Sequence, residues 1–271
     1  MTLDAEALTL ATAHRQWLAA RVDADAEQVA THLLGLQAQE PFEPYVGIFS
    51  RTRHADPQDL AEALLERRVA RTHTMRRTVH LHPRADALLL RALHDDMLRQ
   101  RSGHVLAQVR DSTGARIAVD IVALARATAP LFDAGPRQLR DVGREVATQF
   151  PGAPPSSLGD AACSLTPVLQ TTPRAVWGSK GPAAYTTYRA WWGQSPPALT
   201  SAEVLTARGE LVLRYLASYG PAATADVRAW SGATGFPEAV TALGDRVQRY
   251  RDERGRTLLD ITGRPVLDPD L

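Results

Sequence analysis

The chain has 271 residues, 44% hydrophobic and 23% charged, proportions that suit a soluble globular protein with a real buried core and room for two or three small domains. Its one cysteine, Cys163, excludes an intrachain disulfide and a thiolate metal cluster and points to a reducing, cytoplasmic setting. A net charge of +1 excludes a uniformly basic nucleic-acid binder, and neither a targeting segment nor an apolar run of membrane-spanning length is present.

Apolar residues at helical spacing predict an amphipathic helix over 4–20 and a second over 25–36, the latter opened by acids and buried along Val29, Leu33 and Leu36. Asp56-Pro57 opens a third, with Leu60, Ala61, Leu64 and Leu65 as its inner side. Residues 72–82 then alternate apolar or β-branched side chains with basic ones, as in a strand or hairpin arm. Three helices followed by a β element is the order of a winged helix-turn-helix. The order recurs less clearly in helices over 136–149 and 157–165 and strands over 167–172 and 175–177. It is plainer in helices over 201–218, 224–230 and 237–245, followed by strands over 246–252 and 256–261 around the turn Glu253-Arg254-Gly255. Stretches rich in proline, glycine and serine at 151–157 and 193–201 separate the units. The predicted fold is mainly α with small β wings: three tandem winged helix-turn-helix units at 1–115, 116–198 and 199–271.

Charge is unevenly spread along these elements. Residues 1–65 hold four arginines against ten acids, a balance of −6, whereas 66–101 hold nine arginines against four acids, a balance of +5. Arg67, Arg68, Arg71, Arg76 and Arg77 cluster around the first wing. Residues 171–192 contain Arg174, Lys180 and Arg189 with no acid, interleaved with Trp177, Tyr185, Tyr188, Trp191 and Trp192. Such a segment can pair phosphate contact with base stacking, or its aromatics can be core and its charges solvated.

Chemistry is sparse elsewhere. His80 and His82 alternate on the predicted strand, but no third ligand accompanies them, which favours packed or phosphate-facing histidines over a metal site. Ser179 and Ser218 lack a nucleophile-elbow context, and no glycine-rich phosphate loop is present. What remains is Gln37-Ala38-Gln39, placed where the second helix runs into Glu40-Pro41. The residue before a proline is pushed toward extended backbone, and in an extended segment side chains two apart share a face. Neither amide titrates near neutral pH, so chemistry here is limited to positioning and dipole stabilisation. A polar helix end meeting a turn is the alternative reading of the same residues.

Leu34-Gly35-Leu36-Gln37-Ala38-Gln39-Glu40-Pro41, then Pro44-Tyr45-Val46-Gly47, Thr74-Met75-Arg76-Arg77-Thr78-Val79-His80-Leu81 and Val176-Trp177-Gly178 together resemble the AlkZ-type DNA glycosylases, bacterial winged-helix proteins that excise alkylated purines. The resemblance runs from the start of the chain to about residue 262 and, because members of that family generally continue past Leu271, implies a third unit truncated at its C-terminal end. It is nearest the branch linked to self-resistance against azinomycin-type cross-linkers, because the broader branch usually has Asp where this chain has Gln39.

The resemblance implies a C-shaped arrangement of the three units around double-stranded DNA, with Gln37 and Gln39 as the catalytic pair. Expected DNA contacts are Arg71, Arg76, Arg77, His80, Arg174 and Lys180. No cofactor, metal or membrane partner is expected, and the protein is expected to act as a monomer. The implied reaction is hydrolysis of the N-glycosidic bond of cationic N7- or N3-alkylated purines, extending to azinomycin-type interstrand cross-links. Lys180 is the only lysine, which argues against the Schiff-base chemistry of strand-cutting glycosylases. The alternative is a winged-helix transcriptional regulator that binds DNA without catalysis.

Overall fold

Polar residues able to take up free N–H groups set where the helices begin. In the computed structural model, which describes residues 1–111 and 113–267, β1 (Thr2–Leu3) leads into α1 (Ala5–Arg15), capped by the Asp4 carboxylate. α2 (Ala26–His32) starts on a reciprocal box in which Asp25 accepts from the Gln28 N–H and the Gln28 side chain from the Asp25 N–H. It ends at His32, short of the predicted Leu36, through a Schellman closure. The Gly35 N–H bonds the Ala30 carbonyl at 2.7 Å and the Leu34 N–H the Thr31 carbonyl at 3.2 Å. Leu34 holds the left-handed φ of 58° usually left to glycine and is fully buried. Gly35, at φ 109°, lies against the His82 ring, where a Cβ would come within 2.3 Å of Cε1. This turn delivers the chain into β2 (Leu36–Gln37).

α3 (Glu43–Phe49), unassigned in the sequence reading, holds Pro44 in its first turn, where no N–H is required. After α4 (Pro57–Leu65), the basic segment forms both arms of a hairpin, β3 (Val69–His73) and β4 (Val79–Pro83). Its tip is a tight turn, Met75–Arg77, with Arg76 and Arg77 at φ 55° and 64°. Three helices follow that the sequence reading left unassigned: α5 (Arg84–Leu93), α6 (Asp95–Leu106) and α7 (Ile121–Asp133). α8 (Leu139–Val146) and α9 (Pro155–Leu165) cross so closely that a Cβ on Gly143 would meet the Pro155 carbonyl oxygen at 1.9 Å.

The strand predicted over 175–177 is a turn instead, with Ala175 at φ 70°. β5 (Val168–Gln170), β6 (Tyr185–Thr187) and α10 (Tyr188–Trp192) complete this part. α11 (Ser201–Tyr219), α12 (Thr224–Ser231), α13 (Phe236–Leu243) and the hairpin β7 (Val247–Asp252) and β8 (Thr257–Ile261) lie within two residues of their predicted bounds.

The molecule is mainly helical, with two small sheets. The β elements assigned to the first and second units join in one antiparallel sheet, β2-β4-β3-β5-β6, in which Arg71 pairs with Gln170 and Thr72 with Leu169. One face packs on α2, α3 and α4 through Leu33, Ala38, Tyr45, Leu60 and Leu81. The other packs on α5 and α10 through Ala70, Ala87, Leu169, Tyr188 and Trp192. In the second sheet, β1 lies parallel to β7 at the edge of the C-terminal hairpin. Arg15 at the end of α1 forks onto Asp260 of β8, both bonds 2.7 Å and both side chains buried. Leu34 and Met75 insert among the buried residues of α11, α12 and α13, and Arg214 of α11 forks onto Asp86 of α5 at 2.7 and 2.6 Å. No helix among the described residues is long and apolar enough to cross a membrane.

Candidate active site and DNA-facing residues

β2 is an edge strand that pairs with β4 over only two residues, Leu36 with Leu81 and Gln37 with His80. Ala38 adds one bond, from its N–H to the Val79 carbonyl at 2.9 Å, before the chain leaves the sheet at Glu40-Pro41. Burial alternates along the segment: Gln37 and Gln39 are exposed, while Ala38 is fully buried in the core. Both amide side chains therefore project from one face, as the extended reading requires. The Gln39 Oε1 accepts from the Val79 N–H at a long 3.4 Å, occupying the ladder donor that β2 leaves free.

His80 shares this face of the sheet but is 3% exposed. Its Nδ1 donates to the Thr78 carbonyl at 3.1 Å, and its ring stacks at 5.8 Å on that of His82, which bonds the Thr74 hydroxyl at 2.8 Å. Burial pushes His80 down to about 4 and His82 well below its ordinary value. Both rings are neutral packing groups at neutral pH, and His80 does not offer the phosphate contact expected of it. Among the described residues, no group of three or more His, Cys, Asp or Glu could hold a metal ion.

Most of the predicted basic contacts are engaged inside the fold. Arg71 is 2% exposed, with its guanidinium bonded to the Ala38 carbonyl and to Gln170 Oε1, each at 2.5 Å. Burial, assisted by nearby Arg174, pushes it down to about 10. A phosphate has no access to it, so its placement as a DNA contact is corrected by burial. Arg76 bonds the Trp230 carbonyl and receives a bond on its own carbonyl from Arg101 at 2.5 Å. Arg77 pairs with Asp160 and donates to the Ser164 hydroxyl at 3.0 Å. The hairpin tip is thus tied to α12 on one side and α9 on the other. Arg68 pairs with Glu27 and Glu66, and Arg67 lies 4.0 Å over the Trp191 ring. Arg174 is half-buried and donates to the Gly181 carbonyl at 3.2 Å, whereas Lys180 is exposed. Of the interleaved aromatics, Tyr185, Tyr188 and Trp192 are core and Trp177 is 45% exposed.

Two features lay outside the sequence reading. One is the Arg71, Gln170 and Tyr185 chain beneath Ala38, in which the Gln170 Nε2 donates to the Tyr185 hydroxyl at 2.7 Å; pairing across three strands leaves no local signal. The other is an apolar cleft of about 680 Å³ walled by Phe42, Tyr45, Val46, Phe49, Leu60 and Trp177. Its signal is legible in retrospect, since Phe42, Val46 and Phe49 recur at helical spacing and remain exposed.

No curated protein matches the chain. Among solved structures, the Streptomyces sahachiroi DNA glycosylase AlkZ superposes with a TM-score of 0.70 at 16% sequence identity, over 97% of this chain and 71% of that one. At that identity the superposition establishes the shared fold alone. Residues 30–270 match the family described as "DNA glycosylase AlkZ-like", a span that includes the glutamine pair, the basic hairpin and the apolar cleft. The chain belongs to the AlkZ-like DNA glycosylase family.

Proposed function

We propose that this DNA glycosylase hydrolyses the N-glycosidic bond of purines made cationic by alkylation at N7 or N3, in double-stranded DNA, with Gln37 and Gln39 as its catalytic pair. The observation that carries this reading is the shared exposed face of the two amides on either side of buried Ala38. An N7-alkylated guanine or N3-alkylated adenine already bears positive charge, so it departs as a neutral base without a proton from the enzyme. The sugar passes through an oxocarbenium-like transition state, to which two amide carbonyl dipoles give electrostatic stabilisation while orienting the attacking water. An uncharged purine needs a proton donor, and the nearest histidine, His80, is held neutral by burial.

Lys180 and the half-buried Arg174 are the proposed phosphate contacts, with Arg76 and Arg77 shaping the hairpin tip from within the fold. Three winged-helix units arranged around the duplex, a monomeric enzyme and base excision without strand cleavage complete the reading, and azinomycin-type interstrand cross-links are its extended substrates. The test incubates the purified protein with duplex DNA containing N7-methylguanine. Release of free base that disappears in the Gln37→Ala, Gln39→Ala double variant is expected. Sequence-specific binding with no release would decide instead for a regulator, and strand nicking before alkali treatment would show lyase activity.

A further inference from the structure

Arg71 stands on β3, with β4 between it and β2, yet its guanidinium bonds the carbonyl of the residue that separates the two glutamines. Its other bond goes to Gln170, which is anchored in turn by Tyr185. Burying a cation is unfavourable unless a carboxylate accompanies it, and none among the described residues lies within ion-pairing distance of Arg71. Its Nε has no hydrogen-bond partner among the described residues. The backbone it holds is the part of the edge strand that has run out of ladder. The last paired residue is Gln37, and Ala38 keeps only its N–H bond to Val79. With that N–H fixed from one side and the carbonyl fixed by Arg71 from the other, both peptide planes flanking Ala38 are set, and with them the directions of the side chains before and after it.

We propose that Arg71 is a positioning residue for the Gln37-Ala38-Gln39 segment, standing in for the missing strand and aligning the two amides. This rests on the reading of the glutamines as the catalytic pair. The positive charge of Arg71 would oppose a cationic transition state, so its contribution is geometric. The same holds for Gln170, which orients the guanidinium.

The test combines three measurements on Arg71→Met: single-turnover release of N7-methylguanine, affinity for undamaged duplex, and hydrogen exchange at the Ala38 amide. Excision should slow about tenfold or more while affinity stays within about twofold, and the Ala38 amide should exchange about tenfold faster with β7 and β8 unchanged. In a Gln39→Ala background the further loss should be clearly smaller than in the wild type, because only Gln37 is then left for the arginine to align. Additive losses, or a fall in affinity that accounts for the fall in rate, would overturn the proposal. So would an unchanged Ala38 amide, whether or not the wild-type protein releases this base. Absence of release by the wild type together with a loosened amide would count against the catalytic reading while leaving the clamp intact. Should Arg71→Met fail to fold, Gln170→Met keeps the arginine and removes one acceptor; about threefold losses in rate and Ala38 protection are then expected, and wild-type behaviour sinks the idea.

Discussion

Arg15 and Arg71 are both almost wholly withdrawn from water, at 5% and 2% exposure, and they are accommodated in opposite ways. Arg15 meets a carboxylate in a two-pronged pair with Asp260, and its remaining donors reach the Leu216 and Pro265 carbonyls. Among the described residues Arg71 bonds only neutral oxygens. A compensated charge of the first kind joins elements that would otherwise separate, here α1 and the C-terminal hairpin. An uncompensated one next to exposed amides belongs to the class of local inconsistencies that folds tolerate where a site requires them.

The largest effect expected from separating these two cases is on stability. Asp260→Ala leaves Arg15 buried and unpaired and should lower unfolding free energy by ~3–5 kcal/mol, measured by urea titration, with excision per folded molecule unchanged. A comparable loss of excision at unchanged stability would instead link the pair to the site. Next comes what Arg71 supports: Gln37→Ala or Gln39→Ala should each raise the excision barrier by ~3 kcal/mol, by analogy with a lost oxyanion-hole donor, while the melting temperature stays put because both side chains are exposed.

Reckoned per pH unit, a smaller effect comes from each histidine around the sheet. Burial pushes His73, His80 and His94 each down to about 4 from 6.5. The unfolded chain therefore binds protons that the folded one refuses, so their contribution is complete above pH 6.5 and is lost as pH falls toward 4. Each should take ~1.4 kcal/mol per pH unit within that window. Equilibrium unfolding at several pH values reads the slope, and a flat profile would show that the rings take up protons as readily in the folded protein as in the unfolded chain. Excision itself should be level through the neutral range, since neither glutamine titrates. The smallest change is expected at the solvated end of the charge scale. Lys180→Ala should reduce the salt-dependence slope of duplex binding by about 1 and leave stability within ~0.5 kcal/mol.

Local features were the legible ones. Glu40-Pro41 was enough to read Gln37-Ala38-Gln39 as extended, with its two amides on one side. Polar caps placed the starts of α2 and α4, and Gly255, at φ 74°, marked the C-terminal hairpin turn. The partners of the arginines were not legible, because those contacts span the chain: 99 residues separate Arg71 from Gln170, 83 separate Arg77 from Asp160 and 154 separate Arg76 from Trp230. A basic stripe in sequence thus became a set of internal fastenings in three dimensions. The merging of β5 and β6 with the first hairpin was hidden for the same reason, and the Schellman closure at Leu34 was hidden because its left-handed residue is a leucine.

The pairing of β1 with β7 also sets a timetable. Residues 2 and 3 pair with residues 251 and 252, and Arg15 is 245 positions from Asp260. On a ribosome adding ~5–20 residues per second, the first strand and helix wait roughly 12–50 s for their partners. The central sheet, with both glutamines and the residues that hold them, can be complete long before the head of the chain finds the tail. A nascent chain arrested between β6 and β7 would therefore leave β1 as an open edge while the strands of the glutamine face were already paired.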